Sequence, residues 1–338
     1  MLQDSRYCDP MRYQPSLDGL RAVATLLVLL FHAKVPGMSA GFVGVDIFFV
    51  LSGFLITRLL IAEHERTGSI DYMDFTARRL RRLYPALILF LLVYLAVAPF
   101  AWPDIPTERH QWDAFIAGFY MGDYAIATGR PTAVIGHLWS LGVEEKFYLL
   151  WPFTVAMALR LRRSHAQLLI AAMFVGITLW RAYNVETLDR YWHVYFRFDT
   201  HCSGLLLGSL AAFTKIKPRA VFGWIGLIGL LVVLVVFEWR TKASAAIGIS
   251  LAEVFSLMVV IASPAFLGRG VLPWLGKMSY GIYLWHYLFI KFGREHGLHW
   301  AENLIFAGVG AIACAALSYY AVEQWLKAPR RTPISSTP

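Results

Sequence analysis

Charge is scarce in this chain: Asp, Glu, Lys and Arg make up 16% of its 338 residues. Soluble domains run near a quarter charged, and here 58% of residues are hydrophobic, so a water-soluble globule and a disordered chain are both excluded. Cysteine is scarcer still. Cys8, Cys202 and Cys314 are too few and too scattered for a disulfide framework, and no pair of them stands at metal-ligand spacing. No metal is expected. An early apolar run is missing too, because the chain stays polar for its first sixteen residues. A cleavable signal peptide puts its apolar core near the start, so an uncleaved first span is expected.

What remains is apolar. Mean hydropathy is +0.54 over 38.2 kDa, and runs of bilayer length recur along the chain. A helix crossing the hydrocarbon core needs about 20 such residues. Ten segments qualify: 17–35, 42–61, 83–101, 137–159, 166–182, 196–213, 220–237, 245–262, 274–291 and 302–324. The net charge of +9 suits a nucleic-acid binder numerically. The basic residues, however, sit in short clusters between apolar runs, at 78–82, 160–163, 215–219 and 327–331. That pattern orients a protein in a membrane and implies no nucleic acid. With ten crossings and a cytoplasmic N-terminus, all four clusters fall on the cytoplasmic side. The weaker segment 112–128 contains Asp113 and Asp123, and its crossing would separate the first cluster from the rest. It is expected to be interfacial or re-entrant at the outer face. The expected fold is therefore an all-α polytopic protein of the plasma (inner) membrane with about ten transmembrane helices. Tails 1–16 and 327–338 are both cytoplasmic, and 17–326 form one membrane domain.

An ionisable group at bilayer depth costs about 2.5–3.5 kcal/mol on insertion scales, so each one needs a reason. Arg21 and His32 stand eleven residues apart in the first span. Helical geometry puts them about 20° apart around the axis and ~16 Å apart along it. Two polar groups on one stripe point to a shared, water-accessible hollow. Asp46 enters the second span near the level of His32, where a carboxylate would orient an imidazole; a helix N-terminal charge favourable to the dipole competes with that role. Ser52 and Gly53 follow as a small-residue patch suited to close helix packing. Glu144, Glu145 and Lys146 are consecutive within the fourth span, with His137 at its edge. Neighbours on a helix point about 100° apart, so the two glutamates have different partners. Arg78, Arg79, Arg81 and Arg82 precede the third span, either as a topogenic cluster for anionic lipid heads or as phosphate ligands. Arg197 and Asp199 can pair with each other. His286, alone in an aromatic helix, is expected to pack.

Four blocks give these residues a family likeness: SLDGLRAVATLLVLLFH at 16–32, GFVGVDIFFVLSGFLI at 41–56, FTARRLRRLYPAL at 75–87 and HLWSLGVEEKFYLLWP at 137–152. RFDTHCSG at 197–204 and LGKMSYGIYLWH at 275–286 extend it. Together they resemble the acyltransferase-3 family of membrane O-acyltransferases, over nearly the whole chain and in the right order. The resemblance implies transfer of an acyl group, usually acetyl, from coenzyme A to a hydroxyl of a carbohydrate or glycosylated acceptor. It maps the family's arginine and histidine onto Arg21 and His32 and its serine-glycine block onto Ser52 and Gly53. Its arginine block falls on Arg78, Arg79 and Arg82, and its glutamate on Glu145. Lys146 stands where the family usually has glutamine. The hydrolase-like C-terminal domain of some members is not expected here.

The resemblance and the buried charges give one mechanism. Arg21 and the 78–82 cluster hold the phosphates of acetyl-coenzyme A from the cytoplasm. His32, oriented by Asp46 or Glu145, deprotonates the acceptor hydroxyl, or itself carries the acyl group. Two other classes compete. A proton-coupled transporter of a glycan or small metabolite would also bury Arg, His, Asp and Glu, although no paired interrupted helices mark two halves. A scaffold or receptor would use the same groups for helix association.

Overall fold

The computed structural model describes residues 13–188, 191–214 and 219–323. The tails at 1–12 and 324–338 lie outside the described residues, as do Cys8, the basic cluster at 327–331 and most of that at 215–219. The polypeptide starts α1 with Pro15 at its first turn and Asp18 beside the positive end of the helix dipole. Helix α1 runs Pro15–His32. Helix α2, Gly44–Thr67, stops at Gly68, whose φ of 77° is the left-handed cap that glycine adopts without a Cβ clash. Asp71 caps α3, Tyr72–Ala101, by accepting the Asp74 N–H at 2.9 Å.

The following helices are α4 (Thr107–Gly118), α5 (Gly122–Ala127), α6 (Trp139–Ala158), α7 (Arg163–Thr187), α8 (Trp192–Tyr195), α9 (Phe198–His201) and α10 (Ser203–Ala212). Then come α11 (Ala220–Val236), α12 (Ile249–Ala262), α13 (Leu272–Lys277), α14 (Ser279–Glu295) and α15 (Trp300–Ser318). The all-α expectation holds among the described residues, and every one of the ten expected segments contains helix.

Among the described residues, six helical stretches are long and apolar enough to cross a bilayer, those built on α1, α2, α3, α7, α12 and α15. The other four expected spans fall short for separate reasons. Glu144, Glu145 and Lys146 interrupt the apolar run of α6. The 196–213 segment is broken at Cys202 into α9 and the 10-residue α10. Helices α11 and α14 each have 17 residues. Segment 112–128 folds as α4 and α5 with a bend at Tyr120 (φ 54°), and neither piece has the length of a span.

Lipid-like surroundings are written on the outside of the bundle, where Leu92, Phe153, Leu168, Val235 and Ile305 are exposed. Inside, α2 and α10 run side by side in the same direction and touch backbone to backbone. A Cβ on Gly53 would lie 1.9 Å from the Leu205 carbonyl oxygen, and one on Gly208 equally close to that of Val50. Small residues are what permit this approach. Helices α1 and α14 are also parallel, because Arg21 meets Ser279 near their starts and His32 meets His286 further along.

Candidate active site

Helices α1, α2, α3, α6 and α14 enclose a cavity of about 350 Å³. Arg21, Arg58, Arg79 and Arg82 line it, with Asp18 and Glu144 as the acidic groups. Its wall is apolar along α2, where Val45, Phe48, Leu55 and Ile56 face it. A smaller cavity of about 230 Å³ adjoins, sharing Arg21, Arg82 and Tyr280 and adding Lys277. Arg21 Nε donates to Ser279 Oγ at 3.3 Å. The Arg79 guanidinium lies 4.8 Å from the centre of the Tyr148 ring, and the Tyr148 and Ser52 hydroxyls are 2.5 Å apart.

Glu144 belongs to this group. Its carboxyl makes hydrogen-bonding contact with Ser52 and Tyr148 and feels the charges of Arg21 and Arg79. The local reason is spacing, since Ser140, Glu144 and Tyr148 recur every four residues and so form one stripe of α6. Glu145 is on the adjacent face, in the field of Tyr84 and Tyr120, and does not line the cavity. Nor does Lys146 neutralise it. The Lys146 ammonium donates to Asp123 Oδ1 at 2.8 Å and to the Tyr120 carbonyl at 2.9 Å.

A second cluster lies beyond the cavity. His32 Nδ1 is 2.9 Å from His286 Nε2, and His286 Nδ1 is 2.7 Å from the Tyr283 carbonyl oxygen. The His137 ring centre is 5.2 Å from that of His286, and Tyr287 packs edge-on to His32 at 4.7 Å. Arg21 and His32 thus do not both line this cavity: Arg21 does and His32 does not. Tyr283 borders both. It lines the cavity, its hydroxyl bonds Ser140 Oγ at 2.7 Å and the His137 carbonyl at 2.5 Å, and its ring centre lies 5.4 Å from that of His286.

Several expected partners differ. Asp46 does not orient His32. Its Oδ1 is 2.8 Å from His201 Nε2 with both side chains sealed from solvent, because the first turn of α2 faces α9. Arg78 turns away from the cavity to pair with Asp74 and, at 2.8 Å, with Glu63. Gly53 serves packing against α10, whereas its neighbour Ser52 lines the cavity. Arg197 and Asp199 pair with each other. His286, expected only to pack, bonds His32. Residues not singled out from sequence are Arg58, Ser140, Tyr148 and Ser279, and Tyr280 and Tyr283 stood out only as aromatic neighbours of His286. A four-residue stripe through Glu144 would have found Ser140 and Tyr148, and one through Ser279 would have found Tyr283.

Four guanidiniums against two carboxylates give the cavity a cationic end, and α2 gives it an apolar flank. That donor set fits a polyanion joined to an uncharged arm.

Residues 14–323 match the family described as Acyltransferase domain (Acyl_transf_3). The O-acetyltransferase OatA of Staphylococcus aureus (strain NCTC 8325 / PS 47) is 34% identical over 84% of this chain and 52% of its own length. The peptidoglycan O-acetyltransferase OatA of Listeria monocytogenes serovar 1/2a is 32% identical over 85% of this chain and 50% of its own. This chain spans about half the length of the curated relatives it matches. No solved structure matches it. With nearly all its described residues inside the family match, and with the sequence blocks around Arg21, Ser52, Arg79 and Glu144 brought together in one cavity, the chain belongs to the acyltransferase-3 family.

Proposed function

We propose that this chain is a multi-pass membrane O-acyltransferase, moving an acyl group, acetyl first of all, from coenzyme A to a hydroxyl of a surface polysaccharide. The observation that carries this reading is the order of groups along the bundle. A cationic, apolar-walled cavity comes first, Tyr283 stands at its limit, and a hydrogen-bonded histidine pair follows. Names of relatives that act on peptidoglycan place a carbohydrate acceptor first among candidates.

The donor supplies an activated acyl thioester. Arg21, Arg58, Arg79 and Arg82 bind its phosphates at the cytoplasmic end, each guanidinium offering a planar fork of donors. Glu144, with Ser52 and Tyr148, holds Arg21 and Arg79 in place. The apolar face of α2 excludes water from the arm. Movement of the Tyr283 phenol away from Ser140 opens the way to His32. His32 Nε2 then takes the proton of the acceptor hydroxyl, whose oxygen bonds the acyl carbon as the carbon–sulfur bond breaks; the same proton passes to the departing sulfur. Asp46, paired with His201, has a positioning part in this reading: it anchors the start of α2.

Reconstituted proteoliposomes given radiolabelled acetyl-coenzyme A and a soluble chito-oligosaccharide test the proposal. Incorporation of one acyl increment into the sugar is the expected result. Transport of either compound with no change in sugar mass, and no loss of acyl groups from surface glycans when the gene is deleted, would sink it in favour of a transporter.

A further inference from the structure

We infer that His286 is the positioning residue of the transfer site: it fixes His32 as the Nδ1–H tautomer and so leaves Nε2 as the atom that accepts a proton. The catalytic half of this inference rests on the O-acyltransferase reading, whereas the tautomer itself does not.

A carbonyl oxygen only accepts hydrogen bonds. His286 Nδ1 lies 2.7 Å from the Tyr283 carbonyl, so that nitrogen carries the hydrogen. A neutral imidazole has a single N–H, which leaves His286 Nε2 with a lone pair. The contact of 2.9 Å between His286 Nε2 and His32 Nδ1 then requires His32 to donate. Neutral His32 is therefore protonated on Nδ1 and basic at Nε2, a nitrogen that makes no hydrogen bond among the described residues. Both anchors of the relay sit on α14, three residues apart, and the His286 side chain is 1% exposed. Its ring has little freedom to turn over.

The surroundings make an imidazole the suitable partner. The charged and titratable groups facing His32 are His286, His137, Arg294 and Tyr287. His137 does not compete for Nδ1 of His32: its Nε2 donates to the Leu284 carbonyl at 3.1 Å and its Nδ1 makes no hydrogen bond among the described residues. No carboxylate belongs to that set, so the charge gained by His32 during transfer is met by the neutral acceptor nitrogen of His286. The N–H···N bond becomes charge-assisted at that moment. Proton balance is kept: Nε2 gains the hydroxyl proton, Nδ1 keeps its own, and the first leaves with the thiol. Sequence spacing hides this, since a lone histidine in an aromatic helix looks like packing until the neighbouring carbonyl and α1 are in place.

The test is imidazole nitrogen NMR on the full chain, labelled with nitrogen-15 histidine and held in lipid nanodiscs at neutral pH. Signals are assigned with His32→Gln. Wild-type His32 should show a protonated Nδ1 and a pyridine-like Nε2. His286→Leu should lose that bias and reveal Nε2–H, and His286→Gln, whose carboxamide oxygen can accept, should restore it. With acetyl-coenzyme A and the chito-oligosaccharide, His286→Leu should lower kcat by about 10²-fold with donor KM unchanged. His286→Gln should recover at least tenfold of that loss. A wild-type His32 protonated on Nε2, or a His32 tautomer indifferent to His286→Leu, overturns the inference. The expected tautomers in a wild-type protein that transfers nothing would uphold the pairing and overturn the O-acyltransferase reading instead.

Discussion

Glu144 and Glu145 are adjacent in the chain and occupy different chemistry: Glu144 meets Ser52 and Tyr148 between Arg21 and Arg79, while Glu145 lies outside the cavity beside Tyr84 and Tyr120. In the proposed reading the functional carboxylate is the one on the stripe with Ser140 and Tyr148. Glu144→Gln should lower acyl transfer by about 10–100-fold, the size seen when a group that orients charged ligands is removed. Glu145→Gln should stay within a few-fold of wild type. Initial rates over a range of acetyl-coenzyme A concentrations make the comparison, and the reverse ranking would return the role to Glu145.

His32 does not line the cavity that the proposal gives to the donor, so its loss should separate chemistry from binding. His32→Ala should reduce kcat by about 10²–10⁴-fold, the usual contribution of a general base. Donor affinity, measured by titration of the purified protein with coenzyme A, should not move. Wild-type turnover in a correctly inserted variant would remove the imidazole from the mechanism.

The arginines of the 78–82 cluster should not behave alike. Arg79 and Arg82 line the cavity; Arg78 is half exposed and committed to Asp74 and Glu63. A hydrogen bond to a charged group contributes about 1.5–3 kcal/mol, so Arg79→Ala and Arg82→Ala should each raise donor KM by roughly 10–100-fold. Surface ion pairs contribute little, and Arg78→Ala should leave KM nearly unchanged. Equal effects at all three positions would mean that the cluster acts through topology or lipid binding.

Helical periodicity made much of this site legible before any coordinates. Arg21 could be singled out because charge inside an apolar run is costly, Ser52 because small residues mark close packing, and Arg79 and Arg82 as a basic cluster just before a span. Periodicity along one helix is blind to pairing between helices. It put Asp46 near His32 by depth alone, whereas the first turn of α2 faces α9 and gives Asp46 to His201. The same limit hid Arg58, which lies inside α2 well ahead of its last turn, and concealed the tie between His32 and His286. Span counting goes further than helix length supports where the two part company: the 196–213 run is apolar throughout much of its course, yet it bends at Cys202.

Gly53 offers the sharpest separation between a packing role and a binding one. The family likeness joins it to Ser52 as a single block, but neighbouring positions on a helix point about 100° apart. Ser52 turns to the cavity and Tyr148; Gly53 turns to α10, where any Cβ would lie 1.9 Å from the Leu205 carbonyl oxygen. Bonds on either side hold α2 at that separation, from Asp46 to His201 of α9 at 2.8 Å and from Thr57 to Ser209 of α10 at 2.8 Å. The helices must part to admit a methyl group, which strains both bonds. Gly53→Ala should therefore destabilise the bundle by about 1–3 kcal/mol, as overpacking commonly does, and lower the midpoint of thermal unfolding in detergent. Donor KM of the molecules that remain folded should match wild type. A raised KM with unaltered unfolding would instead make Gly53 part of the donor site, and the backbone of α2 would then have to reach the cavity from the side now covered by Leu205.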